Sequence, residues 1–224
     1  MSDQADDIDS LDLSERFRAS GEARGLVADD IDFGDDEDEP EGDDLDEDDD
    51  DDYDDEDDDL EDASEDDVDL AVAIYREDGA PVAQALTFEV ANDLDELIAQ
   101  LRRMPGDNGA IGLVSLVEEI FVIVRVRGAA VQVLLSDATA AYDWPIARDI
   151  ADFLGEEDLP DPDDEDETVP LGDLDLLADQ GITSFEMTRI CEDVEESSDQ
   201  LLLQLADQIR FGPQVRKVVE ASFS

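Results

Sequence analysis

From Asp29 to Asp67, 29 of 39 residues are Asp or Glu and none is Lys or Arg. A block of like charge this dense repels itself and stays solvated. Its apolar members, Ile31, Phe33, Leu45, Tyr53, Leu60 and Ala63, are too few to offset the chain entropy that ordering would cost. Residues 1–67 are therefore expected to form a long disordered acidic tail, whose deletion leaves the fold intact. Upstream, Leu11, Leu13 and Phe17 with Arg16, Arg18 and Arg24 make a pattern too sparse for more than a transient helix. The whole chain carries 70 acidic against 13 basic residues, a formal charge of -57. Charge on that scale opposes compaction, so core and charge must be segregated along the chain.

At Leu70 the composition changes. Leu70–Glu77 reads as a strand, Asp78-Gly79 as a turn and 81–90 as a second strand, together a hairpin. Asp93 followed by Glu96 is a capping box, opening a helix with Leu94, Leu97, Ile98 and Leu101 on one face, Arg102 and Arg103 in its last turn and Pro105-Gly106 beyond it. Three strand-like runs follow at 111–117, 120–126 and 131–135, joined by short turns at Glu118-Glu119 and Gly128. The run 120–126 is apolar on both faces apart from Arg125, which suits a central strand covered on both sides. Asp143 as N-cap, Pro145 in the first turn and the stripe Ile146, Ala147, Ile150, Ala151 and Leu154 predict a helix ending at Gly155. The fold class is α+β: an antiparallel five-stranded sheet with two helices, in the order β-β-α-β-β-β-α over 68–155.

Residues 156–168 form a second acidic linker with Pro160 and Pro162. Residues 169–224 are expected to make a small all-helical domain, with helices over 173–180, 184–193, 199–210 and 213–221. Ile182, Thr183, Glu186 and Met187 match a hydrophobic staple around a capping box. About 55 residues supply only a marginal core unless they dock on the preceding domain.

The chain contains no histidine and one cysteine, Cys191. The usual general base and the commonest metal ligand are thus missing, which removes Ser/His and Cys/His nucleophile pairs and nearly every zinc site. A Ca²⁺ loop also fails: Gly42 follows Glu37, Glu39 and Glu41, but Asp48 stands where the bidentate Glu belongs. No cofactor and no metal are expected. Met1–Ser10 is acidic without an apolar stretch, and no apolar run approaches a membrane span, so a cytoplasmic protein with no membrane contact is expected.

Two groups of residues are candidates for interaction. Ser136, Asp137, Thr139, Tyr142, Asp143 and Trp144 form the densest polar and aromatic cluster outside the acidic block. Asp137 and Asp143 could serve as a carboxylate pair. The plainer assignment makes them caps at two successive helix starts, with Trp144 in the core and a hot-spot role open to Tyr142 or Trp144. Arg125 and Arg127 share one face of a strand and could meet Arg76 across the sheet, either gripping carboxylates or standing solvated at an edge. Cys191, spaced helically with Met187, Ile190 and Val194 and followed by Glu192 and Asp193, fits buried filler better than a reactive thiol.

The stretch LLSDATAAYDWPIARDIADFLG (134–155), with VDLAVAIYRED (68–78), 93–128 and GDLDLLADQGIT (172–183), resembles the actinobacterial tRNA adenosine deaminase-associated proteins. The resemblance covers about 150 residues and leaves out 1–67. It implies association with a tRNA adenosine deaminase and carries no catalytic or binding residue. A zinc deaminase needs a His or Cys ligand followed by Glu and a P-C-x-x-C segment, and this chain has no His and no such segment. The expected function is a non-catalytic accessory protein with a protein partner and no direct nucleic-acid binding. The alternative is an acidic mimic of nucleic acid that covers a basic RNA-binding surface.

Overall fold

The computed structural model describes residues 60–106, 108–162 and 168–223. Residues 1–59, on which most of the tail reading falls, lie outside the described residues. The remainder of that stretch belongs to the fold. Ala63 is buried, its N–H donates to Asn92 Oδ1 at 2.7 Å and its carbonyl accepts from Asn92 Nδ2 at 2.9 Å. A single 3₁₀ turn at Glu65–Asp67 follows, held by the Asp67 carboxylate, which accepts from the Ser64 N–H and hydroxyl. Those bonds hold the Asp67 carboxyl below its usual range. The boundary expected at 67/68 is thus displaced toward the N-terminus, because the local Ser64–Asp67 bonds and the long-range Ala63–Asn92 pair order residues whose composition alone reads as tail.

Strands β1 (Val68–Glu77) and β2 (Ala80–Ala85) form the predicted hairpin, with Asp78 and Gly79 both at positive φ in the turn. β2 is shorter than expected. Leu86 N–H still bonds to Ala71, but Phe88–Ala91 is a 3₁₀ turn that buries Val90 and Ala91 and delivers the chain to helix α1 (Leu94–Arg102). Half of the capping box forms: Asp93 accepts from the Glu96 N–H at 2.8 Å, while the Glu96 carboxylate accepts from Gln100 instead. Leu94, Leu97, Ile98 and Leu101 are buried as the periodicity predicts. A Cβ on Gly112 would sit 3.1 Å from methyls of Leu97 and Leu101, so this glycine sets how closely α1 lies on the sheet.

Strands β3 (Ala110–Leu116), β4 (Ile120–Arg127) and β5 (Ala130–Leu135) complete the meander. After a 3₁₀ turn at Ala138–Tyr142, helix α2 (Pro145–Leu154) ends on Gly155 in the left-handed conformation. Its Asp149 accepts from the Leu94 N–H at 3.0 Å, tying α2 to the first turn of α1. Burial pushes that carboxyl up, against the Leu94 bond, and Asp93, Asp152 and Asp95 add to the rise.

A sixth strand, β6 (Leu171–Gly172), pairs antiparallel with β5 through Leu135↔Leu171 and Leu134↔Gly172. The sheet is therefore six-stranded in the order β2-β1-β3-β4-β5-β6, all antiparallel, where five strands were expected. Two residues behind a proline carry no alternation to read.

The C-terminal residues do not stand apart as a small helical domain. α3 (Ser184–Cys191), α4 (Ser198–Gln208) and α5 (Gly212–Ser222) cover the sheet face opposite α1 and α2, with α4 over β3 and β4 and α5 over β1 and β2. The expected helix over 173–180 is a run of turns ending in a 3₁₀ turn at Ala178–Gln180, which sinks Leu176 and Leu177 into the core. α3 has both halves of its capping box, Thr183 with Glu186, and buries Ile182 and Met187 as a staple requires. One core lies between the sheet and α1/α2, the other between the sheet and the 171–215 segment.

A chain beginning at Leu60 is expected to be more stable than one beginning at Val68 by about 2–4 kcal/mol, from the Ala63–Asn92 pair and the Asp67 carbonyl that accepts from the Val117 N–H. Urea unfolding of the two chains measures the gap. Equal midpoints would contradict the displaced boundary.

Candidate functional site

The β3–β4 turn is held in an unfavourable conformation. Val117 and Glu118 have φ of 48° and 60°, and a β-branched residue rarely adopts this region. Four bonds hold it there: Val117 N–H to the Asp67 carbonyl at 2.9 Å, Glu118 N–H to Asp69 Oδ2 at 2.6 Å, Glu119 N–H to the Leu116 carbonyl at 3.0 Å, and Ser198 N–H to the Glu118 carbonyl at 2.9 Å. The buried Ser115 hydroxyl donates to Asp69 at 3.1 Å, so its 2.7 Å partner Ser198 must donate to it. This relay fixes the start of α4 against the turn.

Beside the turn lies a cleft of about 410 Å³. One wall is the β5–α2 connection, with Ser136, Asp137, Thr139, Asp143 and Trp144; the other comes from the turn and the α3–α4 loop, with Glu118, Glu119, Asp193, Val194 and Glu196. Five of the six clustered candidates thus come together. Tyr142 is exposed but does not line the cleft. Among the described lining residues six are carboxylates and none is Lys or Arg. Val194 on the rim is 82% exposed. The sequence offers no signal that brings 118–119 and 193–196 to Trp144, since the contact depends on α4 docking across the sheet. The lone apolar Val194 inside an acidic loop is the only local hint.

Several of these residues have structural work. Ser136 Oγ accepts from Phe121 N–H at 2.9 Å, and Asp137 caps the 3₁₀ turn by accepting from Thr139 N–H at 3.1 Å. Asp143 is not the cap of α2. That position belongs to Trp144, and Asp143 ends the preceding turn, exposed to solvent. Trp144 is half-buried, packed on the α1/α2 core rather than inside it. Among the described residues no group of three His, Cys, Asp or Glu side chains is placed to hold a metal ion. Cys191 reaches the cleft from α3 but is buried, and burial followed by the Glu192 charge pushes its thiol up to about 12.

Arg125 and Arg127 lie at the far end of β4, about 23 Å away at roughly 3.3 Å per residue. Arg125 is neither solvated nor at an edge: it is 3% exposed on a central strand. Its guanidinium holds the Asp179 carboxylate bidentately and donates to the Leu176 carbonyl. Arg127 lies 3.6 Å from the same carboxylate. Their partner is therefore the chain itself, 54 residues on. The Arg125 hydrogen bonds hold the Asp179 carboxyl below its usual range despite partial burial.

The sequence pattern of the Rv3753c-like tRNA adenosine deaminase-associated proteins matches residues 69–212. The chain belongs to that family. Protein Rv3753c of Mycobacterium tuberculosis (strain ATCC 25618 / H37Rv) is 32% identical over 151 residues, spanning 66% of this chain and 86% of the relative. No solved structure matches. The family match begins at Asp69 and runs through α4, so it includes both walls of the cleft and the Arg125–Asp179 clamp. Among the described residues no helix is long and apolar enough to cross a membrane.

Asp179→Asn should destabilise the protein by about 2–3 kcal/mol, because a buried guanidinium loses its counter-charge. Arg125→Met should cost less, about 1–2 kcal/mol, since the half-exposed Asp179 can be rehydrated. The folded-state pKa of Asp179 is depressed, so this stabilisation is intact above the ordinary carboxylate range and is lost as pH falls through the depressed value. Denaturant titrations of both variants at neutral pH check the order; a reversed order contradicts the clamp.

Proposed function

We propose that the protein is a non-catalytic accessory protein of the cytoplasm that binds a tRNA adenosine deaminase through the cleft beside the β3–β4 turn. The observation that carries this reading is the joining of six carboxylates to Trp144 and the exposed Val194 in one cleft. An enzyme that binds tRNA must present clustered cations to the phosphate backbone. A Lys- or Arg-bearing loop of such an enzyme complements the carboxylate rim, and Val194 and Trp144 offer apolar contact area. The family's description names the deaminase as the associated protein. The chain's lack of histidine argues against general-base catalysis near neutral pH in its own right.

A second reading rests on the acidic block: 29 of 39 residues from Asp29 to Asp67 are acidic, which fits a mimic of nucleic acid covering a basic surface. Salt separates the two. Packed apolar contact persists at high ionic strength, whereas a purely electrostatic decoy does not.

In titrations of the purified pair, the accessory reading predicts saturable binding with defined stoichiometry that survives 0.5 M salt to within roughly tenfold. Val194→Ser and Trp144→Ala should each weaken it by about tenfold or more at every salt concentration. Glu119→Lys should weaken it mainly at low salt. Absence of binding at any salt sinks the accessory reading. Binding that vanishes at high salt and ignores Val194 and Trp144 favours the decoy.

A further inference from the structure

Strand β2 ends the sheet, and among the described residues no strand or loop pairs with its free side. Which of its backbone groups are open follows from the register. The Leu86 N–H donates to the Ala71 carbonyl at 2.9 Å, and Glu77 and Ala80 close the two-residue turn, so the even-numbered residues of β2 bond to β1. Pro81, Ala83 and Ala85 therefore turn their backbone groups outward. Ala83 and Ala85 each offer an N–H and a carbonyl, and Pro81 offers a carbonyl alone. The opposite edge, β6, is only two residues long.

An open edge is a template for another strand, and proteins ordinarily blunt one with charge. β2, with the sequence APVAQA, carries none, in a chain that is 37% Asp, Glu, Lys and Arg. The same neutrality continues onto α5, which packs over β1 and β2. Arg216 of α5 pairs with Asp207 of α4, so that side of the helix faces α4. At about 100° per residue, Gln214, Val218 and Ala221 lie on the other side, above the β2 edge. Val218 and Ala83 pack half-buried against the same core. Gln214 Oε1 is withdrawn from solvent with no hydrogen-bond partner among the described residues, a shortfall that a donor brought to this side would remove. Exposed carboxylates border the neutral strip, Glu77 and Asp78 at the hairpin tip and Glu89 beyond the strand.

We propose that the β2 edge pairs antiparallel with the β2 edge of a second copy of this chain, joining two six-stranded sheets into one. A two-fold axis at Ala83 meets every outward donor: the two Ala83 N–H groups donate to each other's carbonyls, and each Ala85 N–H donates to the Pro81 carbonyl of the other copy. Stable interfaces bury roughly 800 Å² per partner, more than the backbone pairing of six residues, and the Gln214, Val218 and Ala221 stripe supplies further contact. A basic partner would be drawn to the acidic cleft, with which the strip shares no residue, and not to a strip without carboxylates. A chain of charge -57 meets its own copy best where charge is missing. The bordering Glu77, Asp78 and Glu89 repel their counterparts, so the dimer tightens as salt rises, the reverse of a contact between opposite charges.

Sedimentation equilibrium of the full chain at about 0.05 M and about 0.5 M salt tests this. A monomer–dimer equilibrium is expected, with the dimer about tenfold or more tighter at the higher salt. Ala83→Pro removes an outward N–H and leaves the bonds to β1 in place, so it should weaken the dimer by about tenfold at both salt concentrations with an unchanged far-ultraviolet spectrum. Gln84→Glu, on an exposed side chain of the same strand, should weaken it chiefly at low salt. A monomer at every concentration and both salts overturns the proposal and leaves the edge to a strand of another protein. A dimer indifferent to both variants overturns it as well, and so do open higher assemblies, which a closed two-fold contact does not make.

Discussion

Strand β4 sends Val122, Val124 and Val126 into the core under α1 and α2, and Phe121 and Ile123 into the core on the other side. A sheet apolar on both faces has no stable form in water until both are covered. The second face presents Leu70, Val72, Ile74, Ile111, Leu113, Phe121, Ile123 and Leu134. At about 1.5–3 kcal/mol for each large side chain, leaving it bare would cost more than the ~5–15 kcal/mol by which a domain is usually stable. The C-terminal helices are therefore obligatory. Their docking also builds the candidate cleft and the arginine clamp: it brings the α3–α4 loop to the β3–β4 turn, and it carries Asp179 to Arg125.

Charge is placed unevenly along β4: six carboxylates line the cleft at its start, whereas Arg125 and Arg127 stand near its end beside Asp179. Arg125 is the exception that reaches inward, and it does so only because Asp179 and the Leu176 carbonyl meet it. A buried arginine tolerates that position when paired and not otherwise. The strained Val117 is comparable: one hydrogen bond within the turn and three from Asp67, Asp69 and Ser198 hold a conformation the residue disfavours by itself.

Much of this was legible in the sequence where the signal is local. The Asp78-Gly79 hairpin, the apolar stripe of α1, the two-faced apolar run of β4 and the Thr183–Glu186 box each depend on residues a few positions apart, and each formed. Most of what failed depends on distant partners. Ala63 is ordered by Asn92, 29 residues away, and Arg125 is paired by Asp179, 54 away. β6 exists because β5 offers it an edge, and Asp143 lost the cap position to Trp144 by one residue. Of the candidate cleft, the wall from Ser136 to Trp144 was visible as a cluster, whereas the wall from Glu118 and Val194 is assembled only by tertiary packing.

The central claim is that the two helical layers and the sheet between them are one cooperative body. The chain provides one tryptophan and one cysteine, and they sit on opposite layers: Trp144 packs on the α1/α2 core and Cys191 belongs to the core under α3–α5. Trp144 fluorescence and Cys191 thiol accessibility, followed through the same urea titration of the full chain, should trace superimposable curves with one midpoint. If Cys191 becomes reactive at clearly lower urea while Trp144 remains in its native environment, the C-terminal helices form a separable unit and the account is wrong.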